Sequence, residues 1–137
     1  KFYWTDVGLA RLLAERPSLD DGPLFETAVL GEILRWRSWQ AEAPALHFFR
    51  VHGGREIDFV LNAADRMLLL EVKVGTGMRA ADVRALGEAV ESVRLPGVRP
   101  KARRLGLVVT RAREVERLAP RVWAVPLWRV FGPGEWM

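Results

Sequence analysis

Asp58, Glu71 and Lys73 are the residues whose types and spacing can do chemistry. They lie within GREIDFVLNAADRMLLLEVKV, residues 54–74. The stretch reads as two strands joined by a tight turn. Strand side chains alternate faces, so Glu71 and Lys73 share one face. A hairpin turning between Ala64 and Asp65 pairs residues whose numbers add to 129, placing Asp58 opposite Glu71 and Glu56 opposite Lys73. Two carboxylates and an ammonium then converge on one patch of sheet. Buried carboxylates so placed need a paired charge or a bound metal.

A plainer reading competes with this one: cross-strand ion pairs on a polar strand face. Three features weigh against it. Leu69 and Val60 fall on the charged face, while Leu68, Leu70, Val72 and Val74 take the other. A strand apolar on both sides is buried on both, and buried carboxylates are costly unless paired or metal-bound. The chain also has 18 Arg and only 3 Lys, and a compact ammonium is not interchangeable with a guanidinium fork. Finally, the acid-x-Lys step follows a strand that carries a further acid.

The elements that must position these residues flank the hairpin. Thr5 or Asp6 can cap a helix running to about residue 16, and Pro17 ends it. Pro23 suits the first turn of a second helix, reaching about Trp39. Phe25, Val29, Ile33 and Trp36 recur there at helical spacing. Glu26 is the anomaly, lying within about 60° of Val29, Leu30 and Ile33 on the inward face. It is either a first-turn carboxylate favoured by the helix dipole or an acid aimed at the sheet. Leu46–His52 reads as a strand, and Gly53-Gly54 as a hairpin turn. Thus strands over about 46–52, 55–62 and 67–74 meander in sequence. His47 and His52 are the only histidines, and no ligand spacing links them to a zinc site. A helix over about 79–93 follows, then a buried strand at 105–110. Arg113–Leu118 reads as a helical turn. Val122–Phe131 reads as a last strand or strand pair, where Pro126 implies an edge or bulge.

The composition bounds the rest. With 137 residues and half of them apolar, the chain is one domain able to bury a core. No apolar run approaches the roughly 20 residues of a membrane span, and no partner membrane is expected. The absence of cysteine rules out disulfides and fits a cytoplasmic protein. From Arg94 to Arg121, nine basic residues face two acidic ones. That segment carries +7 and leaves −3 for the remainder of a +4 chain. Such a block suits a phosphate backbone; it also suits a solvated surface in an Arg-rich protein. Arg99, Lys101, Arg103, Arg104, Arg111 and Arg113 are the candidate nucleic-acid contacts. The six Trp could form an interface, including one between copies of the chain.

The order of helix, three antiparallel strands, helix and strand predicts an α/β fold. Its mixed central sheet would contain a three-stranded antiparallel meander and be flanked by helices. Glu26 in GPLFETAVLGEIL, Asp58 in GREIDFVL and Glu71 with Lys73 in LLLEVKV resemble the PD-(D/E)XK nuclease superfamily, with its restriction-endonuclease-like αβββαβ core. Ile57 stands where the superfamily pattern has Pro. KFYWTDVGLARLL, GPLFETAVLGEIL, FFRVHGGREIDFVL and LLLEVKV are further similar to the C-terminal domain of unknown function 4143 of bacterial and archaeal ATPases. That resemblance implies a single nuclease-like domain over 1–137, with 1–20 as a helical lead-in, taken from the C-terminal part of a longer ATPase. It also implies a Mg²⁺- or Mn²⁺-dependent endodeoxyribonuclease. Asp58 and Glu71 would hold the metal, Glu26 would complete or tune the site, and Lys73 would orient water. The alternative is a catalytically inactive nuclease-like module that binds nucleic acid or a protein partner.

Overall fold

The structure, a computed structural model, describes residues 1–15, 22–50, 56–75 and 78–131. The expected turn at Gly53-Gly54, together with His52, Thr76 and Gly132–Gly134, lies outside the described residues.

Helix α1 (Val7–Leu13) starts where Asp6 accepts a hydrogen bond from the Leu9 backbone N–H at 2.7 Å, which satisfies one orphan donor of the first turn. Only Ala10 of this helix is buried. Helix α2 (Gly22–Ser38) carries Pro23 in its first turn and buries Phe25, Val29 and Ile33, the four-residue spacing that forms one helical face.

Six strands form one sheet: β1 (Ala45–Arg50), β2 (Glu56–Ala63), β3 (Arg66–Val72), β4 (Arg103–Thr110), β5 (Glu116–Ala119) and β6 (Val122–Pro126). Their spatial order is β1-β2-β3-β4-β6-β5. The β1–β2, β2–β3 and β5–β6 pairs are antiparallel, whereas β3–β4 and β4–β6 are parallel. Helix α3 (Ala80–Ser92) makes the crossover from β3 to its parallel neighbour β4. The result is a mixed α/β chain with a six-stranded mixed sheet and flanking helices.

The two faces of the sheet have separate cores. Phe25, Val29 and Ile33 of α2 pack on Phe59, Leu61, Leu68, Leu70, Leu107 and Val109. Leu86, Ala89 and Val90 of α3 pack on Val60, Met67, Leu69, Val108 and Val122. The alternation along LLLEVKV divides its apolar residues between these cores as strand periodicity requires. Gly106 allows the close approach of α3: a Cβ there would stand 2.9 Å from Leu86 Cγ.

Two expectations near the end of the chain are corrected. The segment read as a helical turn at Arg113–Leu118 instead runs into strand β5, which begins at Glu116. Its four residues are too few to show a period, and pairing with β6 decides their conformation. The stretch read as a strand over Val122–Phe131 divides into β6 and helix α4 (Leu127–Val130). Pro126 does not mark an edge strand, because β6 lies between β4 and β5. It is the last residue of β6 and the N-cap of α4, where a missing N–H costs little.

Candidate functional site

The β2–β3 register adds to 129 from Ala63↔Arg66 to Phe59↔Leu70. The ladder stops there, one pair short of Asp58 and Glu71. The cause lies on the other side of β2. His47 pairs with Val60 and Phe49 with Ile57, so two steps along β1 face three along β2. This bulge re-aims the side chains beyond it. Ile57 joins the α3-side core with Val60, while Phe59 packs on the α2 side.

Asp58 is thereby turned toward α2 and holds both elements. Its Oδ1 accepts from Lys1 Nζ at 2.8 Å, and its Oδ2 accepts from the Val72 backbone N–H at 2.9 Å. The second bond closes the end of β3 with a side chain where the ladder lapses. The same Lys1 ammonium lies 2.9 Å from Glu26 Oε1 and 2.9 Å from Glu56 Oε1. The Tyr3 hydroxyl donates to Glu26 Oε1 at 2.5 Å. Glu26 and Asp58 are only 16% and 12% exposed, against 37% for Lys1. Tyr3 is held by its ring, which stacks on Phe48 at 5.8 Å and tilts against Phe59 at 6.0 Å.

Glu71 and Lys73 form a second pair, with Nζ to Oε1 at 2.7 Å. Lys73 also continues β3 alongside β4, its backbone N–H donating to the Val109 carbonyl at 2.9 Å. Of the expected set, Glu26 and Asp58 meet on one ammonium, while Glu71 and Lys73 meet each other. Asp58 links the groups through Val72, the residue between Glu71 and Lys73.

The electrostatics follow from burial and pairing. Burial alone would lower the Lys1 pKa, but hydrogen bonds to Asp58, Glu56 and Glu26 outweigh it and hold the ammonium well above the ordinary lysine range. Burial and the bond to Glu26 raise the Tyr3 hydroxyl. The Lys1 hydrogen bond lowers Glu56. Burial raises Glu71, Lys73 partly offsets this, and the charge of Asp58 adds to it. For Lys73, burial opposes the charge, but the hydrogen bond to Glu71 together with the negative charges of Glu71, Asp82 and Asp58 outweighs it, and the pKa rises.

Carboxylate oxygens are hard donors and suit Mg²⁺ or Mn²⁺ in kind. Among the described residues, however, no group of three or more His, Asp or Glu side chains is arranged to hold a metal ion. Ammonium contacts of 2.8–2.9 Å hold oxygens farther apart than a Mg²⁺ shell at about 2.0–2.1 Å. The donors therefore fit by type, and their spacing is set by Lys1.

The basic block does not gather at this site. Arg103 pairs with Arg66 at the start of β3, and the Arg99 and Arg103 backbone N–H groups donate to Ala64 and Asp65 in the β2–β3 turn. Exposed Arg99, Lys101 and Arg103 thus occupy the opposite end of the sheet. Seven steps of β4 at about 3.3 Å separate the two ends by about 23 Å. Arg104 is buried, whereas Arg111 and Arg113 are exposed just beyond the acidic end of β4. There Arg111, Phe25, Glu32 and Trp128 help line a cleft of about 560 Å³.

The sequence reading missed Lys1 and Tyr3 as site residues and assigned Glu56 to Lys73 rather than Lys1. The signal for Lys1 was available: it is one of only 3 lysines among 21 basic residues. The family model described as domain of unknown function (DUF4143) matches residues 21–130. The chain belongs to the DUF4143 family. No curated protein and no solved structure matches it. The matched DUF4143 region contains Glu26, Glu56, Asp58, Glu71 and Lys73; Lys1 and Tyr3 precede it.

Proposed function

We propose that this DUF4143 domain is a divalent-cation-dependent nuclease of the PD-(D/E)XK type, with a restriction-endonuclease-like core, acting on DNA phosphodiesters. The observation that carries this reading is the double role of Asp58. One of its oxygens joins the ammonium that also holds Glu26, and the other binds the β3 backbone between Glu71 and Lys73. Asp58, Glu71 and Glu26 would hold Mg²⁺ or Mn²⁺. When bound, such an ion supplies phosphate polarisation and a more acidic water. The protein's own part is to fix these carboxylates and to present Lys73, whose ammonium can orient water and offset charge on the phosphoryl oxygens.

The exposed Arg111 and Arg113 beside the acidic end support a phosphate-bearing substrate there. Exposed Phe2, Trp4, Leu12 and Trp39 support a protein surface, in this reading an ATPase domain of the same parent chain or a second copy. The test is incubation with single-stranded, duplex and branched DNA in Mg²⁺ or Mn²⁺, beside an Asp58→Ala control. Metal-dependent nicking that Asp58→Ala abolishes is expected; nicking that survives in the control removes the support.

A second reading has its own observation. Lys1 and Lys73 already neutralise the carboxylates, as a module that binds without cutting would need. Mn²⁺ calorimetry separates the two readings: heat that depends on Asp58 and Glu71 favours hydrolysis, and its absence favours the non-cutting module.

A further inference from the structure

We infer that the cleft between α2 and α4 seats an unpaired nucleobase, with Trp128 as its stacking platform, so that this domain engages single-stranded or locally melted DNA. The inference rests on the DNA reading above and narrows the substrate to strands with unpaired bases.

The cleft opens at the carboxyl ends of two neighbouring parallel strands. Thr110 ends β4 beside Pro126, which ends β6, and crevices outside such ends are where open α/β sheets take ligands. Its volume of about 560 Å³ falls within the range of small-ligand sites. Phe25, Phe131 and Trp128 give it aromatic walls. Phe25 is buried, and Phe131 is held against Trp36 at 5.9 Å. Trp128 differs from both. Its helix neighbours Leu127 and Val130 pack on the core, yet the indole is 68% exposed. A broad apolar ring left in solvent on a cleft wall is a platform for another flat ring. Polar groups complete the lining. Thr110 is buried, and its hydroxyl accepts from the Ala112 backbone N–H at 3.1 Å, which fixes the turn that presents Arg111. Glu32, held by Arg35, offers an acceptor for a base N–H. Exposed Arg111, with Arg113 beside it, favours a phosphate-bearing occupant over a plain apolar peptide. The base must be unpaired, because a base inside a duplex is already stacked on both faces. The cleft also adjoins the acidic end on two walls. Phe25 precedes Glu26 on α2, and Val109, which accepts the Lys73 backbone N–H, precedes Thr110. A phosphate at the acidic end and a base in the cleft can therefore belong to one short stretch of strand.

The test is fluorescence anisotropy on the whole chain in EDTA, with three labelled probes of equal length: an oligodeoxythymidylate, the same strand with abasic sites in place of its bases, and a blunt duplex. Wild type should bind the oligodeoxythymidylate about tenfold more tightly than the abasic strand, and Trp128→Ala should lose that advantage. Trp128→Phe should keep most of it. Trp39→Ala should keep all of it, since that indole is 78% exposed but does not line the cleft. Binding of the blunt duplex should not change in Trp128→Ala. Equal affinity of wild type for the thymidylate and abasic strands overturns the inference, as does an equal loss on duplex in Trp128→Ala. So does a Trp128→Ala chain that retains the full advantage of the bases, the result expected if a peptide occupies the cleft instead. None of these measurements involves cleavage. Binding that depends on bases and on Trp128, without metal-dependent nicking, removes the hydrolysis reading and leaves the cleft assigned in a module that binds without cutting. Metal-dependent nicking without such binding overturns the cleft assignment alone.

Discussion

At one end of the central sheet, Glu26, Glu56, Asp58 and Glu71 meet two lysines. At the other, Arg66, Arg99, Lys101 and Arg103 stand in solvent around the β2–β3 turn. Both ends concentrate charge of one sign, but they handle it differently. The acids are partly buried, and a charge withdrawn from water needs a partner. The turn-end bases keep their hydration and need none; Arg66 approaches Asp65 only to 3.6 Å. The difference teaches where a substitution is felt. Removing a charge at the acidic end strands its partner, whereas removing one at the turn end changes mainly the long-range field.

The largest effect expected from breaking this contrast is on hydrolysis. Asp58→Ala should lower metal-dependent DNA cleavage by at least about a hundredfold, measured as nicking rate. Arg103→Ala should leave the rate on bound DNA unchanged. Next comes stability. Lys1→Met strands carboxylates of Glu26 and Asp58 and should cost about 1–3 kcal/mol by denaturant unfolding. Lys101→Ala should stay within about 0.5 kcal/mol. If both substitutions cost the same, the contrast between the two ends is lost.

A smaller effect sharpens the role of the turn end. Replacing Arg99, Lys101 and Arg103 together by Ala should reduce the slope of log affinity against log salt by about three, read from DNA titrations at several salt concentrations. An unchanged slope would place the phosphate contacts elsewhere. The smallest effect is a pH dependence. The Glu71 pKa is raised above the ordinary 4.5, so the folded state binds this proton more tightly than the unfolded state. Its stability contribution is therefore present below pH 4.5 and declines as pH rises from there through the folded pKa. Glu71→Gln should lack that decline. The check is the stability difference between Glu71→Gln and wild type, which should shift in favour of the variant across that window.

Local pattern made much of this legible. The period-2 run of LLLEVKV and the turn at Ala64-Asp65 yielded the β2–β3 register, because both signals are contained within one hairpin. Glu26 stood out because a carboxylate on the inward face of α2 breaks that helix's own pattern. The bulge beside Asp58 was not legible. It arises from pairing with β1, and that pairing is not encoded in the residues around Asp58. The role of Lys1 escaped for a similar reason, since it meets Glu26 and Asp58 across 25 and 57 positions of chain. The basic block misled because neighbours in sequence were taken as neighbours in space. Strand β4 runs the length of the sheet and carries Arg103 to one end and Arg111 to the other. The scarcity of lysine proved more informative than the abundance of arginine, since two of the three lysines sit on the carboxylates.

Anomalous diffraction from crystals of the Lys1→Met chain soaked in Mn²⁺ tests the central claim most directly. A Mn²⁺ peak is expected at the acidic end, within about 2.0–2.4 Å of carboxylate oxygens of Asp58 and Glu71, with Glu26 beside it. A well-ordered acidic end without such a peak, or a peak confined to acids elsewhere on the surface, would contradict it.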